Sequence, residues 1–452
     1  MNTLGFLAIP AEIVPEQEAV VSEGRRFTYA ETLARVRRLA SALAHLGVGR
    51  GTRVAALHTN SHRYVEAYYA VAMLGAVFIP LNYRAKRPEL EHMLRAGGAE
   101  VVLVGARYLE HLEALRGGLP ELRTIIGLDG PSGRFPGYED LVAAAVEHPA
   151  ETEVQDDDVT ILMYTSGTTA LPKGVMLTFG DFTAYVTANV ELADGTPRGA
   201  ALRRDLSSLE ILSYGGAAMP FPVIRRAIER FPKSVGFVNA FGQTETTSTL
   251  TLLGPEDHRL EGTPAEVERR TRRLGSIGRP LPDVEVRVVD ENGRALGPGE
   301  VGEIWVRTPR VMKGYAGAGA SPLRDDGWLP TRDMGWMDED GYLYVAGRKD
   351  DMIIRGGENI APAEVEAVLQ SHPSVEEAAV VGVPDVEWGQ RVAAFVVLRP
   401  GESLSPEALT DFCRERLASF KKPEVVHFVA ELPKNPMGKI LRKDLRAELG
   451  AA

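Results

Sequence analysis

Residues 164–174 read Tyr-Thr-Ser-Gly-Thr-Thr-Ala-Leu-Pro-Lys-Gly and follow the apolar run from Val159 to Met163. Thr165, Ser166, Thr168 and Thr169 supply hydroxyls, Gly167 lets backbone N–H groups come close, and Lys173 adds a cation. A loop of this composition can wrap a polyphosphate. It is not a Walker loop, which needs glycine directly before the lysine and a hydroxyl after it. Here Pro172 and Gly174 hold those places. Taken alone, the stretch also reads as a plain polar turn after a buried strand.

The elements that must position this loop follow an α/β rhythm. VRRLASALAHLGVG is an amphipathic helix closed by glycine, RVAALHTN a short apolar strand with a polar exit, and YVEAYYAVAMLGAVFIP a helix running into a strand. This alternation predicts layered α/β subdomains. From about Val284 the pattern turns to short alternating strands around Glu291-Asn292-Gly293, a hairpin signal that opens a β-rich subdomain. From GRKDDMI onward, strands (EAAVVGV, RVAAFVVL) and helices (PAEVEAVLQSH, PEALTDFCRERLASF) predict a small α+β domain.

Composition narrows the function. The chain has 452 residues, 44% hydrophobic and 25% charged, enough for two or more globular domains. Its single cysteine, Cys413, excludes an internal disulfide and a cysteine-rich metal site. A net charge of −11 argues against general nucleic-acid binding. The first residues lack a basic n-region, and no apolar run reaches the roughly 18 residues of a membrane span. A cytoplasmic setting fits these features.

YTSGTTALPKG closely resembles the phosphate-loop signature of the adenylate-forming superfamily, which includes acyl-CoA synthetases, luciferase-like enzymes and the adenylation domains of peptide synthetases. Further motifs follow in the family's order across nearly the whole chain: Asn239-Ala-Phe-Gly-Gln-Thr-Glu245, Gly302-Glu-Ile-Trp305, Lys313-Gly-Tyr315, Trp328-Leu-Pro-Thr-Arg-Asp333, GRKDDMIIRGGENIAPAEVE from Gly347, and NPMGKILRKDL from Asn435. The resemblance implies a large N-terminal AMP-binding domain over residues 1–349 and a mobile C-terminal domain over 350–452. It implies attack of a carboxylate on the α-phosphate of ATP, giving acyl-AMP and pyrophosphate, then thiol attack on the acyl carbon.

Residue by residue, the resemblance gives Thr165, Ser166, Gly167, Thr168, Thr169 and Lys173 the ATP phosphates, and Glu245 with Thr165 the Mg²⁺. Gly215, Gly216 and Ala217 would admit the adenine edge, Phe241 would stack on its face, Asn239 would meet its amino group, and Gly242 and Thr244 would complete the nucleotide site. Asp333 and Arg348 would meet the ribose. Lys439 would bridge the carboxylate and the α-phosphate during adenylation. Asp350 would be the hinge, and Gly356, Gly357, Lys421 and Lys422 would serve coenzyme A. The bland alternatives are a helix-start carboxylate for Glu245, a core aromatic for Phe241 and a surface-turn aspartate for Asp333.

Three departures from the family pattern stand out. Ala170 and Phe179 replace a glycine and a histidine, and Arg332 replaces the glycine before the ribose-binding aspartate. Between Leu177 and Asp205 relatives carry several tens more residues, including part of the acid-pocket wall. An uncovered wall would expose apolar surface, which favours either self-association, as in a homodimer, or a mobile covering segment. The leading expectation is an acid–CoA ligase using ATP. The alternatives are an adenylation enzyme loading a carrier protein, and a nucleotide-binding remnant without ligase activity. Small and apolar residues in SYGGAAMPFP and TSTLTLLG suggest a fatty, alicyclic or aryl acid.

Overall fold

The computed structural model describes residues 2–130, 135–147, 152–165, 172–189, 209–216, 219, 221–317, 322–434 and 440–450. The chain divides into two compact units. The first takes Met1–Val190, Thr244–Thr247 and Pro309–Ser321; the second takes Glu191–Gln243, Ser248–Thr308 and Pro322–Ala452.

The first unit is built on a seven-stranded sheet. Its order is Gly314–Tyr315, Lys173–Thr178, Val159–Thr165, Val77–Pro80, Arg53–Leu57, Val101–Val104, Thr124–Gly127. The last five run parallel, and Lys173–Thr178 is antiparallel to both of its neighbours. The parallel strands are mainly apolar because both faces are covered. Val54 and Ala56 enter one core with Val101 and Leu103, while Ala55 and Leu57 enter the other with Val102 and Val104. The expected helices are present at Tyr29–His45 and His62–Met73. The first begins with Thr28 and Glu31 in reciprocal capping bonds.

The second unit contains several sheets. One orders Arg279–Pro280, Ser248–Leu253, Gly236–Gln243 and Ile211–Gly215. The expected β-rich region is a four-stranded sheet of Glu285–Val289, Gly302–Arg307, Leu329–Met337 and Leu343–Arg348. Its hairpin signal forms a turn at Asp290–Gly293, where Gly293 has φ 80°, and the chain bridges back at Val289 and Ala295 before the returning strand at Gly302. Arg287 lies over both Trp305 (4.9 Å) and Trp328 (4.1 Å), with Arg324 and Arg307 stacked on the same two rings. This ladder stiffens the sheet that carries Asp333. The C-terminal α+β elements are Val375–Asp385, Gly389–Leu398 and Val425–Phe428 in one sheet, with helices Pro362–Gln370, Pro406–Arg414 and Arg442–Gly450.

Candidate active site

In the first unit, Val159–Thr165 and Lys173–Thr178 form a hairpin whose last pair is Thr165 with Lys173. The threonine-rich loop therefore joins strand to strand, unlike a Walker loop, which runs into a helix. Ser166, Gly167, Thr168 and Thr169 lie outside the described residues, as does Ala170. Thr165 Oγ1 donates to the Lys173 carbonyl at 3.4 Å. The Lys173 ammonium makes no ion pair among the described residues and lies 5.3 Å from the centre of the Tyr315 ring. Phe179, which stands in place of the family's histidine, is fully buried, so its side chain serves packing.

Glu245 belongs to a short 3₁₀ turn, Thr244–Thr246, and is not the start of an α-helix. Its Oε1 accepts from the Tyr315 hydroxyl at 2.8 Å and its carbonyl accepts from Met312 N–H. The other carboxylate oxygen has no partner among the described residues. The turn is closed by residues in unfavourable backbone geometry, Thr247 at φ 50° and Ser248 at φ 93°. Such strain persists only where surrounding contacts hold it; here Thr247 Oγ1 donates to the carbonyl of the fully buried Arg310 at 2.9 Å. One open carboxylate oxygen suits Mg²⁺, which takes one or two carboxylates and leaves its other positions to water and phosphate. No cluster of three or more acidic, His or Cys side chains that could hold a metal ion is present among the described residues.

In the second unit, the parallel strands Ile211–Gly215 and Gly236–Gln243 carry the adenine candidates. A Cβ on Gly215 would stand 2.2 Å from the Ala240 carbonyl oxygen, so only glycine fits there. Gly216 follows at φ 78°, and Ala217 lies outside the described residues. The Asn239 amide nitrogen points at the Ser276 carbonyl at 3.4 Å, which leaves its oxygen to accept from an amino group. Phe241 is half-buried and belongs to neither of the apolar clusters described around its neighbours Phe237 and Leu253, against the reading of a core aromatic. Gly242 sits at a bulge where a Cβ would collide with the Ser248 carbonyl. In the segment 247–254, Leu250 and Leu253 are fully buried, Leu253 against Leu274 and Tyr342.

Asp333 is not a surface-turn residue. It lies within strand Leu329–Met337 at 5% exposure. Its Oδ1 meets Arg348 Nε at 2.9 Å, its Oδ2 accepts from Gln243 Nε2 at 2.6 Å, and its N–H donates to Thr331 Oγ1. Arg348 also donates to the Thr331 carbonyl at 3.1 Å. Both ribose candidates thus form one hydrogen-bonded group with Gln243, whose role the motif alone did not reveal. Arg332 adopts φ 62°, the left-handed conformation that glycine takes without cost, and it donates to both oxygens of Asp350 at 2.5 and 2.7 Å. That hydrogen bond holds the Asp350 carboxyl below its usual range.

Farther along, Gly356 (φ 59°) and Gly357 (φ 87°) form the two-residue turn of the hairpin Ile353–Arg355 with Glu358–Ile360. Positive φ at both positions is what a type I′ turn requires. Lys421 pairs with Glu364 at 2.7 Å, whereas Lys422 makes no ion pair among the described residues. Lys439 lies outside the described residues, in the stretch 435–439 flanked by an antiparallel bridge between Lys434 and Ile440. Of the other cations near it in sequence, Lys434 pairs with Glu377, Arg442 with Glu366 and Arg446 with Asp351.

The model of the AMP-binding enzyme family matches residues 9–198 and 186–316, and that of the AMP-binding enzyme C-terminal domain matches 364–439. The chain belongs to the AMP-binding enzyme family. Among relatives of this AMP-binding enzyme, feruloyl-CoA synthase of an Amycolatopsis species is 36% identical, covering 97% of each chain. A fatty acid–[acyl-carrier-protein] ligase of Streptomyces coeruleorubidus is 32% identical over 96% of this chain and 94% of its own. The crystal structure of an anthranilate CoA ligase with anthranoyl-AMP matches with a TM-score of 0.86 at 27% identity, covering 100% of this chain and 98% of that one. The alignment with feruloyl-CoA synthase runs over 508 positions against 452 residues here, so the relative has positions with no counterpart in this enzyme. The two family-model stretches meet at 186–198, inside the region read as shortened.

Proposed function

We infer that this AMP-binding enzyme is an AMP-forming acid–CoA ligase with ATP and coenzyme A as substrates, and that its acid is aromatic. The observation that carries the reading is the end-to-end likeness to feruloyl-CoA synthase at 36% identity. The likeness to an anthranilate CoA ligase adds a second relative that acts on an aryl acid.

In this reading, residues 1–349 form the AMP-binding domain and 350–452 a mobile C-terminal domain. Thr165 to Thr169 and Lys173 hold the β- and γ-phosphates, with charge neutralisation and positioning as the main catalytic devices. Glu245 and Thr165 would hold Mg²⁺, which supplies positive charge to the triphosphate. Gly215, Gly216, Ala217, Asn239, Phe241, Gly242 and Thr244 surround the adenine, and Asp333, steadied by Gln243 and Arg348, accepts from the ribose hydroxyls. Lys439 stabilises charge as the acid oxygen bonds to the α-phosphorus and pyrophosphate leaves. After rotation about Asp350, the CoA thiol passes Gly356 and Gly357, with Lys422 beside its phosphates, and attacks the acyl carbon to release AMP. The enzyme acts in the cytoplasm, as a homodimer. No helix among the described residues is long and apolar enough to cross a membrane.

A second reading has one specific observation behind it: the carrier-protein ligase of Streptomyces coeruleorubidus at 32% identity. A panel of aryl, alicyclic and fatty acids separates the two, with pyrophosphate release and thioester formation followed with and without CoA. Aryl-CoA formation is expected. Pyrophosphate release with no CoA thioester from any acid would overturn the CoA-ligase reading, and sizing by light scattering checks the dimer.

A further inference from the structure

Tyr315 is fixed by backbone bonds on both sides. Strand Gly314–Tyr315 pairs with Lys173–Thr178, Lys313 N–H donates to the Met176 carbonyl at 3.0 Å, and Ala316 N–H donates to the Gly174 carbonyl at 2.8 Å. One residue earlier, Met312 N–H holds the Glu245 carbonyl at 2.8 Å. The segment is therefore fastened to the element that starts with Lys173 and to the turn that carries Glu245. The Tyr315 side chain bridges the same two residues: its hydroxyl donates to Glu245 Oε1 at 2.8 Å, and its ring lies 5.3 Å from the Lys173 ammonium.

Resting on the ligase reading, we propose that Tyr315 is a positioning residue that keeps the metal-binding carboxylate and the phosphate-binding ammonium apart and correctly aimed. Glu245 and Lys173 have opposite charges, and paired directly they would quench each other. Among the described residues they do not pair. The ring offers the ammonium an attraction that leaves its N–H donors available, since a cation over an aromatic face is held without being neutralised. The hydroxyl fixes one carboxylate oxygen by a charge-assisted bond and so aims the other. Partners that orient a metal ligand in this way typically matter about 10–100-fold in metal affinity or activity.

Tyr315→Phe keeps the ring and removes the hydroxyl; Tyr315→Leu removes both. The readout is Mn²⁺ binding followed by electron paramagnetic resonance in the presence of α,β-methylene ATP, which the enzyme cannot cleave, with AMP binding and thermal melting alongside. Tyr315→Phe is expected to weaken Mn²⁺ binding on the order of tenfold and to leave AMP affinity and melting unchanged. In a Glu245→Gln background the same change is expected to add nothing. Tyr315→Leu is expected to weaken metal-free pyrophosphate binding as well, because Lys173 can then close on Glu245. Wild-type Mn²⁺ affinity in Tyr315→Phe, an equal loss in the Glu245→Gln background, or a parallel loss of AMP affinity and melting temperature would overturn the proposal. Failure of the ligase reading is distinguishable, since it appears in the wild-type protein as the absence of acyl-AMP and thioester from every acid.

Discussion

Replacing Arg332 with glycine tests whether the strand beside Asp333 carries strain offset by an ion pair. Arg332 is held at φ 62°, where a side chain costs about 1–2 kcal/mol. Its pair with Asp350 joins side chains 60% and 52% exposed, and such surface pairs contribute only about 0.2–1 kcal/mol. Glycine also gains freedom in the unfolded chain, a cost of roughly 0.5–1 kcal/mol. These terms nearly cancel, so Arg332→Gly alone is expected to shift the melting temperature by no more than about 2–4 °C. The coupling decides the matter. Asp350→Asn should cost up to about 1 kcal/mol in the wild-type background and nothing in Arg332→Gly. Asp350 is depressed from 3.8 by its bond to Arg332. A depressed carboxylate contributes stability that is full above its unfolded pKa and is lost as pH falls through its folded pKa. The coupling should therefore be present at neutral pH, vanish in acid below the usual aspartate range, and shrink in about 1 M salt. The KM for ATP should stay within about threefold, because Asp333 is held by Gln243, Arg348 and Thr331 and a residue without a role in binding changes little. Melting and ATP kinetics of the four proteins check this. An equal effect of Asp350→Asn in both backgrounds would refute the reasoning.

Lys439→Ala should reduce acyl-AMP formation by about 10²-fold or more, as removal of a charge-stabilising group does, while thioester formation from supplied acyl-AMP persists; equal loss in both half-reactions would make Lys439 structural. Asp350→Pro fixes φ near about −65° and should slow the thioester step more than adenylation, and unchanged overall turnover would remove Asp350 as the pivot. Separate calorimetric titrations should find ATP bound more tightly than the acid, because the nucleotide groups lie outside the shortened region between Leu177 and Asp205. Tight, saturable acid binding by a protein whose measured mass is 49.1 kDa would show that the compact pocket is sufficient.

What the sequence could reveal depended on whether the cause was local. The alternation that sends Val54 and Ala56 to one core and Ala55 and Leu57 to the other can be read directly from the order of residues. The anomaly at Arg332 shows by comparison with the family's glycine, because a backbone conformation suited to glycine is a property of one position. Burial of Asp333 could not be read this way. Its partner Gln243 is 90 residues away, and Tyr315 is 70 residues from Glu245. Motifs gave Glu245 as a metal ligand and Tyr315 as part of a family segment, but not how the two are tied together. For an enzyme whose chemistry rests on positioning, these long-range ties decide the site. Arg332 illustrates the consequence, since a local penalty visible in one residue persists in the fold together with a distant contact to Asp350 that no local pattern encodes.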